Sequence, residues 1–248
     1  MHWNAIIRGL LALVVLAHAS HAGASSLFDD DTVVNVGLVG PLGTLIAADD
    51  DSVELPFTLL ANGFEHAIDV RVRGKSRRRV CDFPPLRLNF PDDDTAQTIF
   101  AGQDKLKLVT HCFDRESAQA DILQEYAAYR IFNIISDIGY RVRLLHVTYT
   151  DTDGLPGEST FTRYGFLIES ASELADRVGG TPVDVSGVSL ATLDDGQEAA
   201  VYVFQYLIGN TDWSLVTANE DDVCCHNGDL IDIGDARYFV PYDFDLSG

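Results

Sequence analysis

Basic residues are scarce in this chain. Its 248 residues include 17 Lys and Arg against 38 Asp and Glu, a net charge of −21. A surface this acidic excludes a nucleic-acid binder, which must neutralise phosphates with cations. It also excludes docking on anionic lipid. Long apolar runs are missing as well. The longest begins at Gly9 and ends near Ala17, too short for a membrane span. No internal repeat or low-complexity tract occurs. Neither Gly-x-Ser-x-Gly nor His-Glu-x-x-His is present, which removes the common serine-hydrolase and zinc-protease signatures and leaves His111, His146 and His226 as structural residues. Acidic turns such as Asp92-Asp-Asp94 lack the spacing of a dedicated calcium loop.

What is present begins with an export signal. His2 and Arg8 precede the apolar run, and Ala22-Gly-Ala24 provides small residues before Ser25. This is the layout of a cleavable secretory leader, expected over 1–24, with the mature chain secreted or periplasmic. Hydrophobic content of 46% suffices for a packed core. In an oxidising compartment the four cysteines are expected in disulfides. Cys81 and Cys112 form a natural pair if their strands lie side by side. Cys224 and Cys225 are adjacent and rarely bond to each other. A zinc site at Cys224, Cys225 and His226 is the alternative, but consecutive ligands do not match the usual spacing.

Alternation of apolar and polar residues predicts strands over 53–60, 67–73, 86–90 and 105–111. A further strand with a Gly-Pro break is expected over 32–46, and a basic turn over 74–79. Residues 116–138 carry apolar residues at helical spacing on two faces, which predicts a largely buried helix. Glu125 lies on one of those stripes and needs a partner there. A hairpin is expected from strands at 141–150 and 163–169, then a short helix over 171–178, a linker over 182–192 and a second helix over 195–207. The remainder reads as loop and short strand.

The last forty residues carry the chemistry. Asn210-Thr-Asp-Trp213, His226-Asn227 and Tyr242-Asp-Phe-Asp245 follow the order in which a phosphotransferase places an acceptor-binding carboxylate and its metal ligands. With Val72-Arg-Gly-Lys-Ser76, Pro84-Pro-Leu-Arg-Leu-Asn-Phe90, Leu106-Lys-Leu108 and Gly165-Phe-Leu-Ile-Glu169, this stretch resembles the CotH-type (spore coat protein H-like) atypical protein kinases over about residues 70–248. The resemblance implies an α+β, two-lobed protein-kinase-like fold. An N-terminal, mostly antiparallel β lobe with one long helix would span 25–169. A more helical C-terminal lobe, truncated at its end, would span 170–248.

The resemblance also implies an ATP- and Mg²⁺-dependent enzyme that phosphorylates hydroxyls of exported or surface proteins. Asp212, with Asn210, would handle the acceptor proton; the alternative for Asp212 is an Asx-turn residue closing the preceding helix. Lys107 would reach the phosphates and pair with Glu125, against the alternative of a solvent-facing strand lysine. Arg73, Gly74, Lys75 and Ser76 would form a turn over the phosphates, with Arg73 or Arg87 supplying the cradle, since no Gly-x-Gly-x-x-Gly loop exists. The surrounding basic cluster, Arg71, Arg73, Lys75, Arg77, Arg78 and Arg79, could equally bind an acidic substrate segment. Glu169 would lie on the hinge strand. Asn227, Asp243 and Asp245 would hold the metal. Asp243 and Asp245 alternate, so they share one ligand only if the chain bends there. The chain departs from the family in Trp213-Ser214 after the catalytic Asp, and in the fourteen residues between Asp212 and Asn227. The alternatives are an inactive kinase-like scaffold or a structural envelope protein.

Overall fold

The computed structural model describes residues 27–247 except 49, 51, 75, 91–94, 114, 155–158 and 218–223. The expected leader at 1–24, Lys75 and the Asp92–Asp94 turn lie outside the described residues.

Strands β1 (Val34–Gly40), β2 (Leu55–Ala61), β3 (Phe64–Val72), β4 (Leu86–Asn89), β5 (Lys105–Val109), β6 (Val142–Asp151) and β7 (Thr160–Ile168) form one closed barrel in the order β1-β2-β3-β4-β5-β7-β6. Every pairing is antiparallel except β1 with β6, where Val34 lies beside Leu145 and Gly40 beside Asp151. That parallel pair removes both sheet edges, which would otherwise offer unpaired backbone groups.

Alternation decides what fills the barrel. Val70, Val72, Leu86, Leu88, Leu106 and Leu108 turn inward and are buried with Leu38, Leu59, Val147 and Leu167. Gly40 closes one corner: a Cβ there would stand 2.3 Å from the Phe57 ring. Residues 42–47, read from sequence as a continuing strand, instead form the short helix α1 (Leu42–Ala47) after Pro41. Pro lacks the ladder N–H and tolerates a helix start. The basic turn holds one helical turn, α2 (Arg77–Val80).

The long helix α3 (Glu116–Ile135) packs on β6 and β7. Then follow α4 (Ala171–Val178), α5 (Asp195–Leu207) and a three-stranded sheet of β8 (Thr181–Val183), β9 (Gly228–Ile233) and β10 (Ala236–Pro241) in the order β10-β9-β8. Helix α4 carries a capping box from Ser170 and Glu173 and ends on Gly179 at φ +69°, a conformation that glycine adopts without penalty. A second core joins Tyr129, Phe132, Phe166, Phe204, Phe239 and Phe244.

This architecture corrects the two-lobed expectation. The dominant unit is a seven-stranded barrel closed on itself, and residues 170–247 contain a β-sheet beside α4 and α5 rather than a predominantly helical lobe. The apolar pattern predicts strands but not their closure, because closure depends on the distant β1–β6 pairing. Cys81 and Cys112 are bonded, as the pairing argument expects. Cys224 and Cys225, which the sequence reading keeps apart, are joined to each other. Among the described residues no helix is long and apolar enough to cross a membrane.

Candidate functional site

The segment just after β3 and the adjoining part of β5 form one wall of a cavity of about 540 Å³. Arg73, Gly74 and Lys107 come from this wall, Arg77 from α2, and Glu125 and Tyr129 from α3. The opposite wall is made by Asp212, His226, Asn227, Asp229, Tyr242 and Asp243. Six of the sequence-predicted residues therefore share one space with Asp212: Arg73, Gly74, Lys107, Glu125, Asn227 and Asp243.

The β9–β10 hairpin builds the acidic wall. Its register sets Gly228 opposite Pro241 and Asp229 opposite Val240, so the residues just before β9 meet those just after β10. The Tyr242 N–H donates to the Asn227 carbonyl at 3.0 Å. The bridge between Ser214 and His226 draws in the Asp212 segment. The fourteen intervening residues thus do not separate the two motifs. Asn227 Nδ2 donates to the Asp212 backbone oxygen at 2.7 Å and to Asp212 Oδ2 at 3.1 Å. His226 Nε2 lies 2.8 Å from Asp212 Oδ1.

Asn210 stands behind this group. Its side-chain oxygen accepts the Asp212 N–H at 3.0 Å, and its carbonyl accepts from Trp213 Nε1 at 3.1 Å. The Asx turn considered for Asp212 belongs to Asn210, which positions the aspartate. Asn227 and Asp243 both adopt positive φ, +53° and +60°, a conformation costly for side-chain-bearing residues. The Asp243 bend solves the facing problem of the Asp-x-Asp motif. With Asp243 turned and its N–H donated to the Tyr129 hydroxyl at 3.0 Å, both Asp243 and Asp245 reach Arg77, at 3.0 Å and 2.5 Å.

Two expected pairings differ. Lys107 does not pair with Glu125; its ammonium lies 5.9 Å from the Tyr242 ring centroid. Burial, and then the charges of Arg73 and Arg87, lower its pKa, with Asp229 opposing. Glu125 is 4% exposed. Burial, and secondarily the charge of Asp243, push its carboxyl up to about 8, so it is protonated at neutral pH. The Asp245 carboxyl is raised to about 6 by burial and by Asp243.

Glu169 is held elsewhere. It accepts two hydrogen bonds from Arg177, at 2.9 and 2.8 Å, and one from the Arg141 N–H at 3.0 Å. It locks α4 to the β6–β7 end of the barrel and does not line the cavity.

The sequence reading named Arg77 only within the basic cluster, gave Asp229 and Tyr129 no site role, and took His226 as structural. The clue to His226 was its place beside Asn227. Nothing local marks the other three, since their roles depend on contacts across more than eighty residues: Tyr129 to Asp243, and Tyr140, whose hydroxyl donates to Asp229.

As arranged, the carboxylates do not fit the expected Mg²⁺ set. Among the described residues no group of three or more His, Cys, Asp or Glu could hold a metal ion, and Arg77 already occupies Asp243 and Asp245. The chain matches no known protein-family model and no curated protein.

Proposed function

We propose that the chain is an exported phosphotransferase of the kind the CotH resemblance implies, moving the terminal phosphoryl group of ATP to hydroxyls of secreted or surface proteins. The observation that carries the reading is the division of one cavity into a cationic wall, Arg73 and Lys107, and an acidic wall centred on Asp212. Phosphoryl transfer needs little covalent chemistry from a protein. It needs cations on the phosphate oxygens and a carboxylate in line with the incoming hydroxyl.

Arg73 and Lys107 bind the phosphate oxygens. Asp212 accepts the proton of the acceptor hydroxyl, held in orientation by His226 and Asn227. Protonated Glu125 donates rather than accepts at neutral pH. Mg²⁺ remains part of the proposal as a companion of the phosphates, but the carboxylates meant for it are held by Arg77, and no step above depends on it. The Cys81–Cys112 disulfide is compatible with an oxidising compartment.

Thermal unfolding with ATP, with Mg²⁺ and with both tests the site, because a ligand that binds only the folded state raises its stability. ATP is expected to raise the midpoint in wild type and in Asp212→Asn. Radiolabel transfer to a hydroxyl-bearing protein is expected to fall at least about 100-fold in Asp212→Asn. A well-folded wild type with no nucleotide shift and no transfer would refute the reading. The Arg77 clamp on Asp243 and Asp245 favours one second reading, an inactive scaffold. For that reading, nucleotide binding without any transfer is the expected result.

A further inference from the structure

A second concavity, of about 580 Å³, continues from the reaction cavity over the outward face of β3, β4 and β5 and shares Arg73, Gly74 and Lys107 with it. Its floor is a row of cations. Arg71 lies opposite Arg87, and Arg87 opposite Lys107, on three neighbouring strands. Their inward neighbours Val70, Val72, Leu86, Leu88, Leu106 and Leu108 are buried in the barrel, so all three cations point outward together. Neighbouring strands are about 4.8 Å apart, so the row spans roughly 10 Å. Like charges set directly opposite each other destabilise a sheet.

Among the described residues, the nearby acids pair with Arg71 and Lys105 and leave Arg87 and Lys107 of this row without a carboxylate at ion-pair distance. Arg71 has Glu54 at 3.4 Å, and Lys105 has Asp104 at 3.3 Å. Glu173 accepts from Gln103 and from Ser170. Among the described residues, Arg73, Arg87 and Lys107 have no carboxylate at ion-pair distance. In a chain of net charge −21, Arg73, Arg87 and Lys107 together offer positive charge to an external anion. Ser170 and Ser172 line the facing side. Val72 and Leu106 are buried, and among the described residues that line the concavity none is aromatic, which leaves no ring on which a base could stack.

We propose that this ledge binds a chain of phosphates, recognised by its charge and spacing rather than by a base, with the end of the chain entering the reaction cavity past Arg73 and Lys107. The inference rests on the phosphoryl-transfer reading in that it names the donor as a triphosphate, inorganic or carried by a nucleoside. Burial, and then the charges of Arg73 and Arg87, lower the Lys107 pKa, with Asp229 opposing.

The test is calorimetric titration of the full chain with inorganic tripolyphosphate, with ATP and with adenosine, at low ionic strength and without metal. Tripolyphosphate and ATP are expected to compete for one site, and adenosine to displace neither. Arg87 lines the ledge and not the reaction cavity. Arg87→Gln is expected to weaken tripolyphosphate at least tenfold. Without ligand, the same variant is expected to unfold at or above the wild-type temperature, since it relieves repulsion; a lost fold would show there. Equal binding by wild type and Arg87→Gln, displacement by adenosine, or no binding of tripolyphosphate would each overturn the ledge. Transfer from ATP without tripolyphosphate binding overturns the ledge and leaves the transferase reading standing. Binding without transfer does the reverse.

Discussion

The two faces of strands β3, β4 and β5 make opposite uses of the same backbone. Inward, Val70, Val72, Leu86, Leu88, Leu106 and Leu108 close an apolar core. Outward, Arg71, Arg87 and Lys107 stand in a row, Arg73 lies just past the end of β3, and together they line two concavities. The inner face is stabilised by burial of apolar surface. The outer face carries Arg73, Arg87 and Lys107 with no carboxylate of the described residues at ion-pair distance, and in the reaction cavity Glu125 is kept protonated by burial. Polar groups that cost stability and gather in one concavity are the arrangement on which the phosphotransferase proposal draws.

The contrast breaks most severely from the inside. Leu108 is 1% exposed, and Leu108→Ala is expected to cost about 4 kcal/mol, read by denaturant unfolding, because it leaves a cavity in the barrel. Next is the disulfide at the border of the two faces. Cys81 follows α2, and its bond to Cys112 closes a loop of sequence separation 31. Cys81→Ser with Cys112→Ser is expected to cost about 3 kcal/mol, by restoring entropy to the unfolded chain.

The third prediction has the opposite sign. The unfolded Glu125 carboxyl ionises near 4.5, whereas the folded one holds its proton to about 8. A raised folded pKa contributes stability that is fully present below about pH 4.5 and is lost as pH rises to about 8. Glu125→Gln removes that dependence. It is expected to exceed wild type by roughly 2 kcal/mol at pH 6 and to match it at pH 4. Equal pH slopes in the two proteins would refute the buried-acid account. The smallest effect belongs to Arg87→Gln, expected to raise ligand-free stability by about 0.5 kcal/mol through relief of cross-strand repulsion. A loss of stability there would show that the cationic row is supported by partners it is argued to lack.

Much of the local structure was legible. Period-two alternation located β2 to β7, and period-3.6 apolar spacing located α3 and α5, because burial of one face imposes those periods. The Cys81–Cys112 pair followed from its expected strand neighbours. The helical turn at Leu42–Ala47 was missed because an apolar run after Gly-Pro reads equally as strand or helix. Asp212, Asn227, Lys107 and Arg73 were legible as residue types in a chemical order. Their meeting was not, since fourteen residues part Asp212 from Asn227 and the Ser214–His226 bridge returns one to the other.

The chain's own order of residues determined which strands and helices form, which face of each is apolar, and which side chains carry charge to the outer face of β3, β4 and β5. Tertiary structure alone decided that the sheet closes through β1 and β6, that Arg77 rather than Lys107 meets the acidic groups, and that Glu125 is buried without a counter-ion. The physical reason is range. Alternation and helical spacing act between near neighbours, whereas barrel closure, ion pairing and desolvation depend on residues brought together from opposite ends of the chain.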